Sequence, residues 1–220
     1  MSRHPADEQT RKLRRNALLD AAMRVWLEHP ERITSVAEVA QAAGVAKGTI
    51  YLYFASKENM LLAAHERQKE VFFAALNARA DQPEPMTFDD MIALTQRHIV
   101  EVPAFLPLAT LVGSLLHKGV TPEAAAEFEG RMAQRLRLAG EKLCRHFPFD
   151  DSDTAVRLLM QSYGLILGLW QLLGSPASQC ANAAVAAMLH PDYGGELDIA
   201  LRALWRGTLD HKENRENDNA

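Results

Sequence analysis

The chain has 220 residues, 48% of them hydrophobic and 24% charged, the make-up of a soluble globular protein with a real core. Two cysteines, Cys144 and Cys180, are too few for a disulfide framework and lack a C-x-x-C spacing, so both read as plain thiols in a reducing compartment. The net charge of −4 hides an asymmetry: residues 1–67 hold 10 Lys+Arg against 8 Asp+Glu, and residues 68–220 hold 14 against 20.

The opening residues MSRHPADEQTRKLRR lack the apolar run of a secretory signal. The most apolar stretch, 158–174, is interrupted by Gln161, Ser162 and Gln171 and falls short of the ~20 apolar residues a spanning helix needs. A cytoplasmic protein with no membrane partner is expected.

Taken in chain order, the apolar residues Leu13, Ala17, Leu18, Ala21, Ala22, Val25 and Trp26 recur at helical spacing and predict a first helix over 11–28, ended by Pro30. Positive charge gathers ahead of it: Arg3, Arg11, Lys12, Arg14 and Arg15 face only Asp7 and Glu8. The run Ser35-Val36-Ala37-Glu38 is a capping box and opens a second helix, 35–43, which Gly44 stops. A third segment, 46–54, follows, and Ser56 caps a linking helix that starts over 56–62 and runs toward Ala80. Pro83 and Pro85 mark a loop. Thr87 with Asp90 caps a helix to about Glu101, and Pro103 begins another to His117. Thr121-Pro122 starts a helix to about His146, and Asp150, Asp151 and Ser152 precede one to Gly174. An alanine-rich helix from Ala181 to Leu189, a turn from Pro191 to Gly195 and a last helix over 196–209 complete the chain. The tail, 211–220, is polar and expected to be disordered. The fold class is therefore all-α: an N-terminal domain of three helices over 1–62, then a larger helical domain over 63–210.

Residues Thr49 to Phe54 are β-branched and aromatic and read as a strand on propensity alone. No other segment makes a credible strand, and a lone one would leave its backbone groups without partners. The stretch is therefore helical. At about 100° per residue, Ile50 and Phe54 share an inward stripe, Thr49 and Tyr53 lie beside it, and Lys47, Gly48, Tyr51 and Leu52 face outward. A helix, a short turn containing Gly44 and a second helix form a helix-turn-helix, whose second helix enters the major groove. Gly48 lets that helix approach the bases, Lys47 can donate to guanine O6 or N7, and Tyr51 and Leu52 can meet base edges and thymine methyls. Thr49 and Tyr53 offer hydroxyls to phosphates, and Lys57 stands at the start of a capped helix, where an anion is favoured.

The whole run TSVAEVAQAAGVAKGTIYLYFASKE, 34–58, resembles the DNA-binding domain of the TetR family of bacterial transcriptional regulators, with the likeness covering about Arg11 to Leu62. The resemblance implies a homodimer on a palindromic double-stranded DNA operator and a small-molecule effector bound by the C-terminal domain. Carried onto matching positions, Lys47, Gly48, Tyr51 and Leu52 face bases, and Ser35, Thr49, Tyr53 and Lys57 face phosphates. Ala46 departs from the pattern, because the family often places a capping serine or threonine there.

The rest of the chain carries no catalytic order of residues, no metal-ligand spacing and no sign of a cofactor, so an enzyme is not expected. Candidate effector-lining residues are Phe105, Leu108, Leu111, Leu115, Met132, Tyr163, Leu167 and Trp170, with Phe128, Leu136, His98, His117, Gln161 and Gln171 beside them. They suit a largely hydrophobic ligand. The helices about 152–174 and 196–209 have broad apolar faces, and Gly164 and Gly168 would admit a close neighbour. The resemblance implies that these two pair with their copies in a four-helix interface. The resulting expectation is a dimeric DNA-binding repressor released by a small ligand. The alternatives are a ligand-independent regulator or activator of the same fold, or a helical protein-interaction module.

Overall fold

A computed structural model describes residues 5–28, 34–174, 183–189 and 191–218. Among them are ten α-helices, one π-helical segment and no strand. The chain divides into two compact units, one formed by residues up to 70 with 102–128, the other by 71–101 with the residues from 129 onward.

The first unit is built on α1 (Pro5–Glu28), α2 (Val36–Ala42), α3 (Lys47–Tyr51), the first part of α4 (Lys57–Ala80) and α6 (Phe105–Lys118). Helix α1 begins at Pro5, ahead of the apolar spacing that starts near Arg11. Proline is preset for a first helical turn, and Asp7 and Glu8 complement the helix dipole there. Leu13, counted above among the helically spaced apolar residues, is exposed. Leu18, Leu19, Ala22 and Trp26 of α1 pack with Val39 and Ala40 of α2, Ile50 and Phe54, and Met60, Leu61 and Ala64 of α4 in one core. Each of the larger aliphatic and aromatic side chains contributes roughly 1.5–3 kcal/mol on burial, and each alanine less. Within this unit α4 also buries His65, Glu66 and Lys69. His65 meets the Phe105 ring edge-on at 5.1 Å. Burial, helped by the charge of Lys69, lowers its pKa to about 3, so the ring stays neutral.

The second unit holds the rest of α4, α5 (Phe88–Thr95), the π-helical segment Gln96–Val100, most of α7 (Pro122–Leu143), α8 (Ser152–Leu173), α9 (Ala183–Leu189) and α10 (Tyr193–Asp218). Asp151 caps α8, accepting from the Thr154 N–H at 2.7 Å. The expected turn over 191–195 is instead the start of α10. Asp192 accepts from the Gly195 N–H at 2.7 Å, and this cap draws both glycines into the first turn. The tail expected to be disordered is helical to Asp218. Extending an existing helix by residues such as Lys, Glu and Arg needs no new nucleus. Trp205 is the centre of this unit: its ring meets Phe88, Phe147 and Phe149, and its Nε1–H donates to Ser162 Oγ at 3.0 Å. His146 joins two segments, since its Nδ1 accepts from the Met86 N–H and its Nε2 lies 2.8 Å from the Ala80 carbonyl oxygen.

Arg79 grips Asp90 with two hydrogen bonds, of 3.1 and 3.0 Å, and reaches the Glu84 and Pro85 carbonyls. Asp90 also closes the Thr87 capping box. The Arg79 hydrogen bonds foremost, and the Thr87 N–H next, hold the Asp90 carboxyl at about 2, below its ordinary value. A depressed carboxyl contributes stability that is complete above its unfolded value, near pH 4, and is lost as pH falls toward 2. Thermal melts should show the wild type losing more stability than Asp90→Asn between pH 4 and 2. Parallel pH curves would refute the assignment.

Candidate nucleic-acid interface

Helices α2 and α3 form the helix-turn-helix. Ser35 Oγ accepts from the Glu38 N–H at 3.3 Å, and Glu38 Oε2 accepts from the Ser35 N–H at 2.9 Å. The capping box is thus closed in both directions. Gly44 has φ of +66°, the left-handed conformation that lets α2 stop and the chain turn. Val45 N–H then donates to the Ala40 carbonyl, tying the turn back to α2.

The second helix is shorter than the sequence suggested. It spans Lys47–Tyr51, with Leu52 and Tyr53 in a closing turn, where the sequence reading ran from 46 to 54. The Tyr53 N–H donates three residues back to the Ile50 carbonyl, the tightening that ends many helices. Ala46 supplies no side-chain cap. Ile50 and Phe54 are buried and anchor the segment. Tyr51 is 51% exposed and Leu52 71%, and Lys47 and Gly48 are exposed beside them. A Cβ added at Gly48 would meet nothing within 4 Å, so no contact inside the chain demands a glycine there.

Around this face, Ser35 is exposed, Thr49 and Tyr53 are half-buried, and Lys57 is partly exposed at the start of α4. Ser56 Oγ accepts from the Asn59 N–H at 3.1 Å and caps that start. Glu58 Oε1 lies 3.8 Å from Lys57 Nζ and offsets part of its charge. The structure therefore gathers all eight sequence-predicted residues of this face into one unit, on or beside the helix-turn-helix.

It also adds residues whose packing the sequence did not reveal. The Arg11 guanidinium stands over the Tyr53 ring, 5.9 Å from its centroid, and that of Arg15 over the Phe54 ring at 5.1 Å. Asp7, Glu8, Arg11, Lys12, Arg15 and Tyr53 line an open cleft of about 450 Å³. The four-residue spacing of Arg11 and Arg15 was the available signal, since it puts both on one helix face.

The predicted effector-lining residues fall into both units. In the first, Phe105 and Leu108 are buried, and Leu111 packs on the main core cluster. In the second, Met132 lies half-buried on α7, and Tyr163, Leu167 and Trp170 lie half-buried on α8. Burial raises the Tyr163 phenol, which stays protonated. Trp170 meets the Tyr193 ring edge-on at 5.5 Å. The side chains of Leu115 and His117 lie outside the described residues. Gln161 and Gln171 are exposed on α8 and are not part of an interior lining.

Comparison with known proteins places these observations. Residues 66–212 match the family described as "Tetracyclin repressor-like, C-terminal domain", and residues 18–64 match "Bacterial regulatory proteins, tetR family". The chain is similar to the fatty acid metabolism regulator protein of Bacillus subtilis (strain 168), 35% identical over 77 residues, which cover 35% of this chain and 39% of that protein. The chain thus spans about two fifths of that relative's length. It is also 26% identical over 171 residues to the HTH-type transcriptional repressor KstR of Rhodococcus jostii (strain RHA1), covering 78% of this chain and 79% of that one. Among solved structures, the fatty acid degradation regulator FadR from Bacillus halodurans superposes with a TM-score of 0.57 at 21% identity, over 93% of this chain and 96% of that one.

Proposed function

Because the chain belongs to the TetR family of bacterial regulatory proteins, we propose that it is a dimeric transcriptional repressor that holds a palindromic operator through α3 and releases it when a small, largely hydrophobic effector binds. The observation that carries this reading is the outward face of α3. The five-residue α3 and the Leu52 that follows it expose a lysine, a glycine with open space above it, a tyrosine and a leucine, and bury only Ile50. Such a face serves a surface that comes from outside the chain.

In this reading Lys47 donates to guanine O6 or N7, and Tyr51 and Leu52 touch base edges and thymine methyls. Gly48 allows close approach. Ser35, Thr49, Tyr53 and Lys57 hold phosphates and fix the register. Ser35 Oγ accepts within the capping box, which leaves its hydroxyl hydrogen for a phosphate oxygen. A regulator acting on bacterial DNA works in the cytoplasm.

The dimer is supported by α8 and α10, which pack on each other and each leave an apolar strip uncovered. On α8 the strip contains Met160, Gly164, Gly168 and Leu172, and on α10 it contains Ile199, Ala203 and Gly207. A Cβ added at Gly164, Gly168 or Gly207 would meet nothing within 4 Å. A glycine inside a helix costs about 1 kcal/mol relative to alanine, so three with no internal role favour the close approach of further helices. Among the described residues α8 is also the one helix long and apolar enough to cross a membrane. Its exposed Arg157, Gln161 and Gln171 favour a protein partner over lipid. Two-fold symmetry then places the two α3 helices on half-sites about one turn of DNA apart, roughly 34–36 Å.

The effector reading is supported within the second unit by the half-buried Met132 of α7 and Tyr163, Leu167 and Trp170 of α8, and the similar B. subtilis protein is named a fatty acid metabolism regulator. Coupling of about 1–3 kcal/mol would change operator affinity roughly 5–150-fold, and linkage requires operator DNA to weaken effector binding by the same factor. Footprinting on DNA from beside the gene, followed by effector titration with and without the protected duplex, tests the proposal. A two-fold symmetric footprint and reciprocal weakening are expected. An asymmetric single footprint would contradict the dimer, and equal effector affinity in both titrations would contradict release.

A further inference from the structure

We infer that the cleft between the start of α1 and Tyr53 is a second DNA-backbone site, in which the Tyr53 ring holds the Arg11 guanidinium in position to bind a phosphate. This rests on the DNA-binding reading above and adds an element that α2 and α3 do not contain.

Three observations carry it. Glu8, Arg11, Lys12 and Arg15 stand at i, i+3, i+4 and i+7 on α1 and so share one helix face. Two of the three cations on that face lie over aromatic rings from the end of the helix-turn-helix, Arg11 over Tyr53 and Arg15 over Phe54. The cleft they line, about 450 Å³, is open and large enough to admit a phosphate group. A guanidinium within about 6 Å of a ring face is attracted to it, and the contact removes part of the entropy cost of fixing a long side chain. The Tyr53 ring therefore acts on DNA through Arg11. Its hydroxyl remains a separate, neutral donor.

Asp7 and Glu8 line the same cleft. They oppose a phosphate there, and Asp7 sits four residues before Arg11, at ion-pair spacing. The acidic turn weakens the site for any duplex and so limits retention on non-specific DNA.

The test is the salt dependence of binding to a labelled DNA duplex, followed by fluorescence anisotropy. The proteins are the wild type, Arg11→Gln, Tyr53→Phe, Tyr53→Leu, the Arg11→Gln/Tyr53→Leu double variant, Asp7→Asn/Glu8→Gln and, as reference, Lys47→Ala. A thermal melt of each confirms the fold. Arg11→Gln should lower the slope of log K against log salt by about one per protomer, equally on specific and scrambled duplexes. Tyr53→Phe should lose affinity while keeping the wild-type slope. Tyr53→Leu should reproduce the slope of Arg11→Gln, and the double variant should be no worse than the poorer single one. Asp7→Asn/Glu8→Gln should bind more tightly and with a steeper slope.

An unchanged slope in Arg11→Gln, with Lys47→Ala still weakening the specific duplex, would overturn this site and leave the α3 reading intact. A Tyr53→Phe slope as low as that of Tyr53→Leu would overturn the role of the ring. No DNA binding by the wild type would overturn both readings.

Discussion

Ile199→Glu is expected to yield a folded monomer that has lost nearly all operator affinity. Ile199 is 64% exposed on α10 and has Ala203 and Gly207 below it on the same strip. A carboxylate there meets water in a monomer and costs little. In the proposed four-helix interface it would lose its hydration without gaining a partner, and a buried unpaired charge costs several kcal/mol. Operator binding by a dimer gains from the second half-site being held close to the first, an advantage of about 10²–10⁴-fold that a monomer forfeits. Light scattering with size-exclusion chromatography should show a dimer for the wild type and a monomer for Ile199→Glu, with matching circular dichroism. A variant that stays dimeric at micromolar concentration would move the interface elsewhere.

Trp205→Ala should be the most damaging single substitution within the second unit. The indole is 2% exposed, touches three aromatic rings and donates to Ser162 Oγ. Truncation removes its burial and opens a cavity, and such changes cost about 3–5 kcal/mol. In a chain of this size, each kcal/mol lowers Tm by roughly 2–4 °C, so a fall on the order of 6–20 °C is expected. Trp205→Phe keeps the ring packing and loses the donor, and should fall by much less. A drop of only a degree or two in the alanine variant would mean that the aromatic cluster is not the keystone of this unit.

How much the sequence disclosed follows from how local each signal is. The capping box at Ser35 and the cap at Thr87 were legible because each side chain bonds its own backbone three residues on. Three residues, Asp150 to Ser152, preceded α8, and only the structure assigns its cap to Asp151. The inward stripe of Ile50 and Phe54 was legible from spacing alone. The end of α3 at Tyr51 was not, because no glycine or proline marks it. The π-helical segment at Gln96–Val100 likewise has no sequence mark and hides inside a helical period. Gly194 and Gly195 suggested a turn, but Asp192 caps a helix there whose first turn holds both glycines. The contact of Arg11 with Tyr53 joins residues 42 apart in the chain, and only the fold brings them together. On the candidate interface, side-chain types and order were readable from the sequence, whereas the second row of cations over aromatic rings was not.

The account turns on α3 reading a DNA sequence, and one measurement addresses that directly. The purified protein is titrated with a duplex from upstream of its own gene and with a scrambled duplex, at two salt concentrations, beside Lys47→Ala and Lys57→Ala. The account predicts that the wild type prefers the upstream duplex by ~10³-fold or more and that affinity falls with salt. Lys47→Ala should reduce the preference, and Lys57→Ala should weaken both duplexes alike. Equal wild-type affinity for the two duplexes, or a Lys47→Ala variant with undiminished preference, would contradict it.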